Sequence, residues 1–260
     1  MKSLVAVIAC LFYVQCLPLR NGNEISVIDG REVDITEVPF MLSLRRLGHH
    51  ICGASVISEF WALTAAHCVI KSVPSQITLR GGSTNRFLGQ LFLTERIVRH
   101  PNFNLNYEFD VAVIKTVEML VLPNNFIQPI ALGLQGTITE HESLLNVTGW
   151  GMTQSSDITL SENLRMATVR FINHAECNTT LSAFGGATVN NLCTVGTVAT
   201  TTGDFCLGDE GGPLIEFDGL TRRVVGIASW SPQCGNSWPS VFTRLTIASV
   251  RGFIFNITNL

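Results

Sequence analysis

Gly208-Asp209-Glu210-Gly211-Gly212-Pro213, with Cys206 two residues before it, is the stretch around which the rest of the chain is organised. Glycines on both sides of an acidic pair describe a tight backbone turn that is neither helix nor strand. Such a turn can aim consecutive N–H groups at one point, as an oxyanion-binding concavity must. Two upstream stretches belong beside it. Leu63-Thr64-Ala65-Ala66-His67-Cys68 carries a histidine in an apolar run, and Asp110-Val111-Ala112-Val113-Ile114 opens an apolar run with a carboxylate. Taken alone, His67 reads as a structural or merely polar residue and Asp110 as a strand-end turn residue. A carboxylate at the start of an apolar strand is, however, normally avoided unless hydrogen bonds hold it.

From Met41 onward, short alternating apolar runs are punctuated by Gly, Pro, Asn and Ser, the pattern of an all-β barrel or sandwich. Strands are expected at 41–45, 54–58, 61–64, 77–80, 91–98 and 111–115, and again at 144–150, 164–171, 192–195, 213–217, 224–230 and 241–244. Residues 116–140, with Pro123, Asn124, Asn125 and Pro129, read as the connection between two halves. At the end the period changes. Ile247, Val250, Phe253, Ile254 and Ile257 fall on one helical face, which predicts a helix over about 246–258.

The 260 residues suffice for one large β domain. Residues 1–16 read as a secretory signal: Lys2 gives the positive start, Leu4 to Val14 the apolar stretch, and Val14 and Cys16 the small-residue cleavage pattern. That apolar stretch falls short of the roughly 20 residues a membrane span needs, so a secreted, extracellular protein is expected, with no membrane partner. Residues 17–26 form a short polar pro-segment. Loss of Cys10 and Cys16 with the signal leaves six cysteines, an even number that suggests disulfides in an exported chain. Their connectivity stays open on the residues alone. The net charge of −3, without a basic run, gives no reason to expect nucleic acid. Asn146, Asn178 and Asn256 each open a glycosylation triplet, with Asn178 the favoured acceptor.

The three stretches quoted above resemble those of the chymotrypsin/trypsin-like serine protease family, and the resemblance covers about residues 27–258. It implies two six-stranded antiparallel β-barrels, about 27–122 and about 140–245, followed by the C-terminal helix, in one domain spanning 27–260. It also implies the pairings Cys52–Cys68, Cys177–Cys193 and Cys206–Cys234. His67 would be the general base, Asp110 the carboxylate that sets its tautomer, and the N–H groups of Gly208 and Glu210 the oxyanion hole. Asp204 falls at the base of the primary specificity pocket, with Phe205, Ser229, Trp230, Ser231 and Ser240 around it. Ser231 and Ser240 stand where the family has glycines, and with the Phe205 ring they are expected to narrow the entrance.

One position departs decisively: Glu210 occupies the seat of the nucleophilic serine. It has no proton worth removing near pH 7, and attack by its carboxylate on an amide would give a mixed anhydride that reverses more readily than it expels an amine. Its charge also opposes the developing oxyanion and favours the charged form of His67. Losing the nucleophile of a related triad costs about 10⁶ in rate. The activation region departs as well. Val27-Ile28-Asp29-Gly30 resembles the family's free N-terminus, yet Ser26 precedes it where a basic residue is needed. His50 matches the histidine that holds the activation aspartate in some uncleaved relatives, so a pairing of Asp209 with His50 and a collapsed oxyanion hole are expected. The loop 81–90 lacks calcium-binding carboxylates, and neither metal nor cofactor is expected. The favoured expectation is a monomeric, catalytically inactive homologue that binds proteins as cofactor, decoy or recognition protein. The alternatives are an active extracellular or digestive endopeptidase of trypsin-like specificity, and a purely structural or storage role.

Overall fold

In the computed structural model the described residues are 30–121, 123, 125–153, 159–197, 205–217, 219, 221–233 and 238–260. The expected signal and pro-segments, Val27, Asp204 and Cys234 lie outside them. A two-residue strand β1 (Arg31–Glu32) leads into a first barrel built from β2 (Met41–Arg46), β3 (His49–Val56), β4 (Trp61–Thr64), β5 (Ile77–Gly81), β6 (Gln90–Arg99) and β7 (Ala112–Thr116). These strands close in the order β2-β3-β4-β7-β6-β5. After a short β8 (Ala131–Leu132), a second barrel comprises β9 (Leu144–Gly149), β10 (Arg165–Ile172), β11 (Asn191–Gly196), β12 (Pro213–Phe217), β13 (Arg222–Trp230) and β14 (Ser240–Arg244). It runs β9-β10-β11-β14-β13-β12 and closes through the pairing of β12 with β9. Helix α1 (His174–Thr180) lies between β10 and β11, and α2 (Ala248–Thr258) ends the chain.

The sequence pattern explains the closure. In β5, Ile77, Leu79 and Gly81 are buried while Thr78 and Arg80 are half-buried between them, the two-residue period of a strand with one face on a core. Leu145, Val147, Val169, Leu214 and Phe242 form the interior of the second barrel. Helix α2 carries Val250, Phe253 and Ile254 back to the first-barrel cluster, so the chain's end clasps its opening half. β1 pairs with β10 in the other direction, Arg31 opposite Met166.

The strand expectations match closely, apart from the unforeseen two-residue β1 and β8 and the start of β3. β3 begins at His49 rather than 54, because His49 and His50 continue the ladder opposite Arg46 and Arg45 past a bulge at Leu44/Arg45. Helix α1 was not foreseen, although Asn173 caps it by accepting from the Glu176 N–H at 3.0 Å. The Cys52–Cys68 and Cys177–Cys193 disulfides are formed as the resemblance implied. The second ties α1 to β11, and each bridge closes a loop for which about 3 kcal/mol is typical. Cys206 is disulfide-bonded too, while its expected partner Cys234 lies outside the described residues.

The two barrels meet at the loop before β12. Gly53 N–H of β3 donates to the Glu210 carbonyl at 2.7 Å. Gly211 has φ +79°, and a Cβ there would sit 2.3 Å from Thr64 Oγ1 and 2.5 Å from the Gly53 carbonyl oxygen. Only glycine permits both the left-handed turn and this approach.

Phe242 is fully buried and meets Phe205 edge-on with ring centroids 5.1 Å apart. Phe242→Ala is expected to cost about 3–5 kcal/mol in denaturant unfolding. A loss below about 1 kcal/mol would show that this ring is not part of a tightly packed barrel interior.

Candidate active site

His67 starts a short helical turn directly after β4, on the first barrel's side of the seam. Its Nδ1 lies 2.7 Å from Asp110 Oδ2, and its backbone N–H donates to Asp110 Oδ1 at 2.8 Å. Asp110, completely buried just before β7, receives a third bond from the Ser229 hydroxyl at 2.6 Å. The Thr243 hydroxyl donates to the Asp110 carbonyl at 3.0 Å. Ser229 and Thr243 belong to β13 and β14, so both barrels hold one carboxylate. That network keeps the proton of a neutral His67 on Nδ1 and leaves Nε2 as the base. Ser229, expected as a pocket wall, thus directs its hydroxyl to Asp110, a role the sequence reading missed.

Glu210 fills the anion site that the turn creates. Its carboxyl accepts the Gly208 N–H at 2.7 Å and also its own backbone N–H. These are the two donors that the family resemblance assigns to the oxyanion hole. Gly208, at φ +98°, adopts the left-handed conformation in which its N–H meets this carboxyl while its carbonyl accepts from His50 Nε2 at 2.9 Å. Burial raises the Glu210 pKa, and the Asp110 charge adds to that, against the lowering effect of its backbone donors and His67. Burial lowers the pKa of His67, but the Asp110 hydrogen bond and charge, joined by the Glu210 charge, outweigh it and leave the net shift upward. The would-be base is therefore biased toward imidazolium chiefly by Asp110, with the residue in the nucleophile's place adding to it.

The expected pairing of Asp209 with His50 is not formed. Asp209 Oδ1 accepts from Gly151 N–H at 2.6 Å and Oδ2 from Cys206 N–H at 3.0 Å. His50 instead bridges Ser43 Oγ at 2.8 Å and the Gly208 carbonyl. Burial pushes the His50 pKa down to about 4, so it is neutral near pH 7 and offers no charge to Asp209. Nor is the hole collapsed, since its two N–H groups converge on the Glu210 carboxyl. Asp209, wholly enclosed, has its pKa raised to about 7, chiefly by burial.

Phe205 is buried, its ring packed against Phe242 in the second-barrel cluster, while Asp204, expected at the base of the pocket, lies outside the described residues. Ser240 is buried on β14 opposite Thr194. Trp230 and Ser231 border a groove of about 700 Å³ whose other walls include Tyr107, Glu108, Phe184 and Thr188. None of those four was singled out from sequence, although the loop Asn104-Leu105-Asn106-Tyr107-Glu108-Phe109 leads directly into Asp110. Asn146 lies on β9, its carboxamide oxygen accepting from Thr168 Oγ1 at 3.1 Å. Asn178 and Asn256 are exposed on α1 and α2. Cys52, Cys68 and His67 gather their ligand atoms within 4.8 Å of one another, yet both sulfurs are consumed in a disulfide and provide no thiolate for a metal.

Two closed antiparallel barrels with a His–Asp pair and an anion-binding turn at their seam define the class of chymotrypsin-like serine proteases. A family model described as Trypsin matches residues 27–251. The chain is 32% identical to Trypsin 5G1 of Aedes aegypti, over 93% of this chain and 88% of that protein. It is 28% identical to a trypsin of Phaedon cochleariae, over 93% of each, and 31% identical to Trypsin Blo t 3 of Blomia tropicalis, over 84% and 82%. The chain belongs to the trypsin family.

His50 gives a pH test. Its folded pKa lies below the ordinary histidine value, so the unfolded chain takes up the proton first and stability is lost as pH falls from about 6.5 to about 4. Asp209, raised to about 7, works in the opposite sense over a similar range, which makes the difference between wild type and His50→Gln the informative quantity. Wild type is expected to lose on the order of 3 kcal/mol relative to the variant across that window, read from urea melts at each pH. Parallel curves would disprove a buried neutral His50.

Proposed function

We propose that this chain is a secreted trypsin-family homologue that binds proteins and does not hydrolyse them. The observation that carries the reading is the Glu210 carboxyl seated on the Gly208 N–H at 2.7 Å. An oxyanion hole works by presenting unoccupied donors to the charge that develops on a substrate carbonyl. Here those donors already hold an acid of the chain itself, and no hydroxyl stands beside His67 at this position. Water attack with Glu210 as general base would meet the same obstacle, since the substrate carbonyl has no free donors to enter. The matched family acts on proteins, and the fold's clefts and loops remain available for recognition. Among protein-binding roles, cofactor, decoy and recognition protein are all compatible with a cleft that grips. Secretion accords with the expected signal at residues 1–16, and no helix among the described residues is long and apolar enough to cross a membrane.

A second reading, an active endopeptidase of trypsin-like specificity, is favoured by the names of the relatives and by the intact His67–Asp110 geometry at 2.7 Å. The purified chain, offered a chromogenic arginine anilide, separates the two. Wild type is expected to release no more chromophore than buffer. Glu210→Ser combined with an arginine inserted before Val27 is the comparison in which turnover should appear. Wild-type turnover approaching that of the combined variant, and abolished by His67→Ala, would return the enzyme reading to first place.

A further inference from the structure

We infer that a small cavity beside α1, on the second barrel, is a binding site for the anion of a short-chain carboxylic acid. This goes beyond the reading of the chain as a protein binder and does not depend on it, since none of His67, Asp110 and Glu210 lines the cavity. The volume of about 90 Å³ gives room for about six to nine water molecules, or for a ligand of a similar number of non-hydrogen atoms. Phe171 and Ile172 at the end of β10, with Leu192 and Cys193 of β11, give it a buried apolar lining. The loop between β8 and β9 and the last residue of β14, Arg244, complete it.

Its chemistry is one cation against apolar walls. Arg244 is the only formally charged side chain among the described residues that line it. Its Nε donates to Thr246 Oγ1 at 3.0 Å and its Nη2 to the Thr137 carbonyl at 3.1 Å. Both acceptors are neutral, so they fix the guanidinium without cancelling its charge. Nη1 makes no hydrogen bond among the described residues, and no carboxylate among them forms an ion pair with Arg244. Thr137 belongs to the same loop as Ile138 and Thr139, which sets the guanidinium at the edge of the cavity. A carboxylate is the group that such a fork of donors recognises, and the apolar lining takes the alkyl part of the ligand. A phosphate dianion would leave uncompensated charge against those walls, and a cation would be repelled.

The site is held in shape before any ligand arrives. Cys193 is bonded to Cys177 of α1, and His174 Nε2 of the same helix lies 2.9 Å from the Ala187 carbonyl oxygen. Helix α1 and the loop that follows it are thus fixed against β11, and a rigid site loses little freedom on binding. The rim argues for an alkyl group on the acid. Ile138 is 79% and Val189 66% exposed, and both line the cavity, so a ligand that covers them removes apolar surface from water.

The test titrates the full chain with isovalerate, its neutral isostere isovaleramide and the cation isopentylammonium, followed by saturation-transfer-difference NMR at constant ionic strength. Isovalerate is expected to bind about tenfold tighter than the amide, and the ammonium weakest. Arg244→Gln should bring isovalerate down to the affinity of the amide and leave amide binding unchanged, which also reports that the variant is folded. Val189→Asp, at an exposed rim position, sets a like charge beside the ligand and should weaken isovalerate while sparing the amide. Equal affinity for isovalerate and its amide, indifference to either substitution, or saturation transfer to none of the three ligands would overturn the assignment. Each of those results leaves the non-hydrolytic reading in place.

Discussion

A single buried carboxylate governs how the two barrels meet. Asp110 is completely enclosed and receives donors from His67 on one side and Ser229 on the other, while Thr243 takes its carbonyl. An ion removed from water in this way is tolerable only if its hydrogen bonds are satisfied. The satisfaction comes from both halves of the chain, so the barrels must dock in one register for the network to exist. The neighbouring seam follows the same rule: Gly53 N–H bonds the Glu210 carbonyl, and Gly211 permits an approach that a side chain would block.

On that shared frame the consequence of Glu210 is local and electrostatic. The turn presents two N–H groups, and an anion supplied by the chain satisfies them. The oriented histidine and the converging donors are thus both present, and the donors hold an internal acid. The arrangement resembles an anion site already occupied. His50 supports the turn from behind as a neutral donor, which is why burial suits it better than a charge would.

Much of this was legible in the residues. The alternating runs located the strands to within a few positions, and the period change placed α2. Helix α1 was missed because its seven residues are too few for a periodic signal, although its Asn173 cap was visible. The site stretches were legible because glycines beside an acidic pair, and a carboxylate opening an apolar strand, demand explanation. Less accessible was the direction of each side chain. The Ser229 hydroxyl bonds Asp110, the Phe205 ring meets Phe242, and His50 took the Gly208 carbonyl rather than Asp209.

By itself, then, the sequence determined the class of fold, the pairing of Cys52 with Cys68 and Cys177 with Cys193 once the resemblance was recognised, and the absence of a hydroxyl at position 210. Those follow from local pattern and residue chemistry. Only the tertiary structure decided that the Ser229 hydroxyl bonds the Asp110 carboxylate, and that Glu108 shares a groove with Phe184 and Trp230. The physical reason is distance along the chain: hydrogen bonds and ring contacts between segments tens of residues apart depend on how the barrels dock, and no local pattern encodes that.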